Sequence, residues 1–159
     1  MRIAMAVAPE SLGSDLLGVV ARLNRLATQR ADIDLPYAQV RLLAQVEQDG
    51  AARISELAAA DHCRQPTMTT QVQRLEAGGW VERRPDPSDA RAVLVSITAA
   101  GRAALDQARA VRAAVVEPAL ANLGADDRGI LAEAVAILRQ ILADVGTTHE
   151  PSIQHPTKE

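Results

Sequence analysis

Apolar side chains recur at intervals of three and four through several stretches of the chain, the spacing of helices that bury one face. Leu12, Leu16, Val19, Val20, Leu23 and Leu26 form such a face over 11–29, with Asp15, Arg22 and Arg25 elsewhere on the helix. A shorter helix is predicted over 36–48 with Val40, Leu43 and Val46 inward. Pro36 suits its first turn, where a missing N–H costs nothing, and Asp49-Gly50 ends it. Far along the chain, Ile130, Leu131, Val135, Leu138 and Leu142 define the face of a last helix, with Asp126 as its N-cap and an end near Gly146.

Between these frames the pattern changes. In ISELAAADHCRQPTMTTQVQRLEAGGWVERRPDPSDARAVLVSITAAGRAAL, Ser55 suits the N-cap of a short helix over 56–60, since its hydroxyl can accept an orphan backbone N–H. Residues 61–64 make a turn, and a second helix follows over 65–77, with Pro66 tolerated in its first turn. Gly78-Gly79 ends that helix, because glycine takes the left-handed conformation of a C-cap without strain. Residues 80–84 and 92–97 alternate as strands around a PDPSDA turn. Thr98 then caps a long Ala-rich helix, which Pro118 should kink or end. The order helix, turn, helix, hairpin is that of a winged helix, whose second helix lies in a DNA major groove.

On a helical wheel the second helix of this motif separates into two rows. Met68, Val72 and Leu75 make the inward row; Pro66, Thr67, Thr69, Thr70, Gln73 and Arg74 lie opposite. So many β-branched residues lower helix propensity, so something other than helix stability accounts for them. Gln can bond adenine through two atoms, Thr can meet a base edge or a thymine methyl, and Arg reads guanine or grips phosphate. A solvated surface would look the same in isolation; the hairpin that follows favours DNA. On that hairpin Arg83 and Arg84 precede the turn and Arg91 opens the next strand, placed to enter a narrow minor groove. Asp89 is acidic and unsuited to touch DNA, but it could orient the Arg91 guanidinium through a charge-assisted bond; a plain turn residue beside Ser88 is the alternative.

Composition narrows the class. At 159 residues with 48% hydrophobic and 23% charged content, the chain suits one soluble globular domain. Alanine abounds while Tyr37 and Trp80 are the only aromatics, which favours helix over strand. The net charge of −3 excludes a polycation that binds nucleic acid by bulk charge, though a local basic patch remains open. The cations are Arg apart from Lys158, which suits phosphate and base contacts but equally follows from a biased genome. A lone Cys63 excludes an internal disulfide, and neither a signal peptide nor an apolar run long enough for a membrane helix is present, so a cytoplasmic protein is expected. His62, His149 and His155 show no zinc spacing, and no nucleophile elbow or phosphate loop occurs; no enzyme, metal or cofactor is expected.

The run LEAGGWVERRPDPSDARAVLVSITAAG resembles the winged-helix signature of the multiple antibiotic resistance regulator (MarR) family. The matching residues are Leu75-Glu76, Gly79, Val81, Arg83-Arg84, Asp89, Arg91, Val93, Leu94, Thr98 and Gly101, with Leu57-Ala58 and Pro66-Thr67 upstream. The resemblance covers about 12–145 and implies a mainly α fold, a winged helix-turn-helix with a two-stranded β wing flanked by N- and C-terminal dimerisation helices. On that reading 36–98 bind DNA, 11–35 and 99–145 dimerise, 1–10 are flexible and 146–159 are a disordered tail. It further implies a homodimeric repressor on a pseudo-palindromic double-stranded operator, its half-sites ~34 Å apart. A small lipophilic or phenolic effector, held between the dimer helices and the winged helix, would release it.

Carried over by position, Pro66, Thr67, Thr69, Thr70 and Arg74 match base and phosphate readers, Asp89 and Arg91 the wing pair, and Ser55 a phosphate contact. Gln65, Gln73, Arg83 and Arg84 join them as candidates. Three residues depart from the family pattern: Arg64 replaces the usual N-cap serine, where it could gain a phosphate contact, Asp61 a leucine, and Gln71 an apolar residue. Cys63 reads as a turn-packing residue rather than a redox sensor, since the family's peroxide sensors carry their cysteine in the first helix. The competing function is a dimeric winged-helix protein-interaction module without specific DNA binding.

Overall fold

The computed structural model describes residues 11–147, the side chains of Ala90, Arg91, Gly146 and Thr147 excepted. The expectations for 1–10 and 148–159 lie outside the described residues. The elements run α1 (Leu12–Arg30), α2 (Tyr37–Asp49), β1 (Ala52–Arg53), α3 (Ile54–Ala60), α4 (Gln65–Ala77), β2 (Val81–Asp86), β3 (Asp89–Ile97), α5 (Ala99–Ala121) and α6 (Ala125–Thr147). The fold is the expected mainly helical winged helix, with one addition. The wing's two strands join a third, β1, in an antiparallel sheet of order β1-β3-β2. At two residues β1 is too short to show alternation, which is why the pattern did not reveal it.

The stops of α4 and α3 have local causes. Gly79 sits at φ 73°, and the N–H groups of Gly79 and Trp80 return to the carbonyls of Glu76 and Leu75, closing α4 as a Schellman motif. The end of α3 has the same bonding, His62 to Ala59 and Cys63 to Ala58, but there the left-handed residue is His62 at φ 50°. Thr98 caps α5 as expected, its hydroxyl accepting the Gly101 N–H at 3.0 Å while donating to the Gly79 carbonyl at 2.7 Å.

Two predicted caps move. Helix α3 begins at Ile54, so Ser55 lies inside its first turn, and Arg53 is the N-cap, with its N–H bonded to the Glu56 carboxylate at 2.7 Å. Helix α6 begins one residue before Asp126, which therefore contributes a first-turn negative charge beside Asp127 and is no cap. Pro118 does not end α5, which continues to Ala121.

The core gathers Val40, Leu43 and Val46 of α2, Leu57 of α3, Met68, Val72 and Leu75 of α4, Val81 and Val95 of the sheet, and Leu105 of α5. Burial of each such side chain contributes about 1.5–3 kcal/mol. Cys63 is half-buried against this cluster. At the α1–α5 contact Arg112 donates to Asn24 and lies 5.8 Å from the Tyr37 ring centroid, a cation–π distance. The chain divides into two compact units within α5, one up to Val116 and one from Glu117. Within the second, the Arg128 guanidinium donates to the carbonyls of Ala121 and Leu123 at 3.2 Å, tying α6 to the end of α5. No helix among the described residues is long and apolar enough to cross a membrane.

Candidate nucleic-acid interface

The two rows read from the sequence of α4 are those the structure separates. Met68, Val72 and Leu75 are buried, while Gln65, Pro66, Thr67, Thr70, Gln73 and Arg74 are exposed and Thr69 is half-buried. The helix starts after Arg64, whose carbonyl accepts the N–H groups of Thr67 and Met68. Arginine has no acceptor for the remaining orphan N–H groups, so its exposed side chain leaves a helix N-terminus capped only by backbone. Arg64 and Arg74 have no ion-pair partner among the described residues.

The threonine hydroxyls are not simply offered outward. Thr69 Oγ1 donates to the Gln65 carbonyl at 2.9 Å and Thr70 Oγ1 to the Pro66 carbonyl at 3.0 Å. Each oxygen can still accept a bond, and the bond back to the helix fixes χ1 and so the direction of the γ-methyl.

The wing arginines fall into different surroundings. Successive strand residues face opposite ways, so Arg83 turns to α4, where its guanidinium pairs with Glu76; that carboxylate's hydrogen bond raises the Arg83 pKa. Arg84 faces solvent and meets Glu82, two residues earlier on the same strand face, at 2.5 Å. Asp89 is exposed at the start of β3, and the Arg91 side chain lies outside the described residues, so the expected pair between them is a reading of the sequence alone.

The carboxylate anchored in the turn is Asp86, which the sequence pattern did not single out. Only 7% exposed, it accepts the Ser88 N–H at 2.8 Å and hydroxyl at 2.7 Å on one oxygen, and the Arg53 Nε at 2.7 Å on the other. These bonds, Ser88 first, hold its pKa down to about 2. An aspartate two residues before a serine in a Pro-containing turn is an Asx-turn pattern, and that signal was available. Its partner Arg53 stands 33 residues away in the chain and gave none.

Between β1, the N-termini of α3 and α4, and the wing lies a cleft of about 330 Å³ lined by Arg53, Ser55, Gln65, Asp89 and Val93 among others. The structure thus brings Ser55, Gln65 and Asp89 together there. Asp61, one of the three departures, pairs with Arg41 of α2 and so fastens the turn to the core; Gln71 is half-buried. No group of acidic, His and Cys side chains that could hold a metal occurs among the described residues.

Residues 35–93 match the model of the MarR family. An HTH-type transcriptional regulator of Mycobacterium leprae is 32% identical over 82% of this chain and 92% of its own. The multiple antibiotic resistance protein MarR of Escherichia coli is 31% identical over 59% of this chain and 74% of its own. Solved structures of a cysteine-to-serine mutant of that protein match at 27% identity, covering 86% of this chain and 98% of the mutant when crystallised alone, with a TM-score of 0.64. In complex with operator DNA the figures are 81% and 92%, with a TM-score of 0.51. A buried row, an outward row and a wing on one α4–β2 unit, in a chain so aligned with these regulators, place the protein in the MarR family of DNA-binding transcriptional regulators.

Proposed function

We propose that this chain is a homodimeric repressor that grips a pseudo-palindromic operator, one α4 in each major groove and one wing in each flanking minor groove. The observation that carries this reading is the outward row of α4, exposed and bearing Thr67, Thr70, Gln73 and Arg74 next to a hairpin that carries Arg83, Arg84 and Arg91. Base-edge contacts come from Thr70, Gln73 and Arg74, and phosphate contacts from Arg64, Arg84 and the turn residues. The relative solved with operator DNA supports it. For the dimer, the support is apolar surface left uncovered on one chain: Leu17, Val19 and Leu23 on α1, and Ile137, Ile141 and Leu142 on α6.

The effector part of the reading attaches to a cavity of about 250 Å³ walled by Ile33, Leu35, Trp80, Ala108 and Val111. Its charged lining is Asp32 and Asp34. A neutral or cationic lipophile, able to lie on the Trp80 ring, suits this lining better than a carboxylic acid would. No arginine among the described residues lines it to hold a carboxylate.

A gel shift with the DNA upstream of the chain's own coding sequence tests the repressor. Saturable binding that weakens with salt and is lost in Arg91→Ala is expected. No binding at low salt favours the other class, a winged-helix protein-interaction module.

A further inference from the structure

We infer that Arg53 is the positioning residue of the wing: it ties the Asp86-Pro87-Ser88 turn to the base of the helix-turn-helix and so sets where the hairpin tip stands relative to α4. This rests on the operator reading above. Arg53 belongs to three substructures at once. Its backbone pairs with Leu94 of β3, and its N–H opens α3 against Glu56. Its guanidinium donates through Nε to Asp86 Oδ2 at 2.7 Å and through Nη2 to Ser88 Oγ at 3.2 Å.

The backbone ladder cannot do this work. Strand β1 reaches only Leu94 and Val95, and the β2–β3 register shifts between Pro85 and Asp86, so the tip lies beyond regular pairing. A two-stranded ribbon twists and bends easily there. A buried carboxylate, bonded on both oxygens and held from another element by a forked guanidinium, fixes the turn in direction as well as distance. The Arg53 charge is engaged by Asp86, with Asp89 adding to the negative field.

Asp86→Asn gives a test in which two accounts predict opposite signs. Removing a negative charge next to DNA should by simple electrostatics tighten binding. If Arg53 acts through Asp86, binding to the upstream DNA instead weakens, by about tenfold on the scale of a lost charge-assisted contact. Hydroxyl-radical protection is then lost in the minor groove under the wing, while guanine N7 protection in the major groove under α4 stays.

Arg53→Gln behaves the same way, the double variant is no worse than either single one, and Arg53→Lys recovers part of the minor-groove protection. Thermal melts confirm folded protein; should Asp86→Asn unfold, Ser88→Ala, which removes one contact to each partner, is expected to show the same selective loss in smaller degree. Tighter or unchanged binding by the folded variants, or loss of both protections together, overturns the assignment. A wild-type chain that protects no DNA overturns it along with the operator reading, whereas wild-type protection with unaffected variants overturns the assignment alone.

Discussion

Gly101 is in the first turn of α5, and a Cβ there would lie 2.0 Å from the Trp80 carbonyl oxygen and 2.8 Å from Ile97 Cγ1. The oxygen is backbone, already bonded to the Thr98 N–H, and cannot step aside. Gly101→Ala should therefore destabilise the chain by about 1–3 kcal/mol in urea or thermal melts, although Ala is ordinarily the better helix residue. A second residue-scale expectation concerns acid. Asp86 is held at a pKa of about 2, below its unfolded value near 3.9, so its stabilisation is fully present above the unfolded value and fades as pH falls toward 2. Asp86→Asn should flatten the acid limb of stability against pH between about 4 and 2, and an unchanged limb would show that the carboxylate is not the linked group. Gly101 was legible as part of a signature and Asp86 as a turn former. Neither contact was, because each is set by an element distant in sequence.

At the scale of elements, α4 was legible residue by residue, bounds included. Its periodicity, its N-terminal proline and its glycine stop all point the same way. Strand β1 and the true start of α3 were not, since two residues carry no period and Arg53 has no side-chain acceptor to announce a cap. The rows of α4 and the strand faces of β2 divide the proposed DNA contacts by kind. Thr70→Ala should change which sequences are preferred, as a base reader does. Arg84→Ala, on an exposed strand face, should weaken all sequences alike and lower the salt slope by about 1. Equal weakening of every sequence by both variants in competition binding would remove Thr70 from the base readers. Arg83 is set apart from Arg84 by Glu76, a distinction that two adjacent arginines in a sequence do not display.

Across the whole molecule, the faces predicted for α1 and α6 are present but uncovered in a single chain. Leu23 is 52% and Leu142 72% exposed, against complete burial for Leu43 or Leu57. Sequence periodicity identified these faces as apolar but could not say whether the same chain or a second copy covers them. In the proposed dimer, Leu23→Glu would forfeit about 1.5–3 kcal/mol of burial at each of two symmetric positions and add a charge. Sedimentation should then find monomers, with operator binding lost, while a core reporter such as Trp80 fluorescence stays native. A variant that remains dimeric would remove Leu23 from the interface.

The back-bonded threonines of α4 carry a consequence for the chemistry of the bases themselves. With its proton committed to the Pro66 carbonyl, a Thr70 that reads bases as proposed would offer an acceptor oxygen and a γ-methyl, and a methyl discriminates by meeting another methyl. The regulator would then respond to carbon at C5 of a pyrimidine as well as to hydrogen-bonding pattern. Uracil substituted for thymine at the contacted step should weaken binding though every base-pairing group is kept, and 5-methylcytosine in place of cytosine should partly imitate thymine. If Thr70 reads bases as proposed, enzymatic methylation of the DNA would itself alter binding, with no ligand at all.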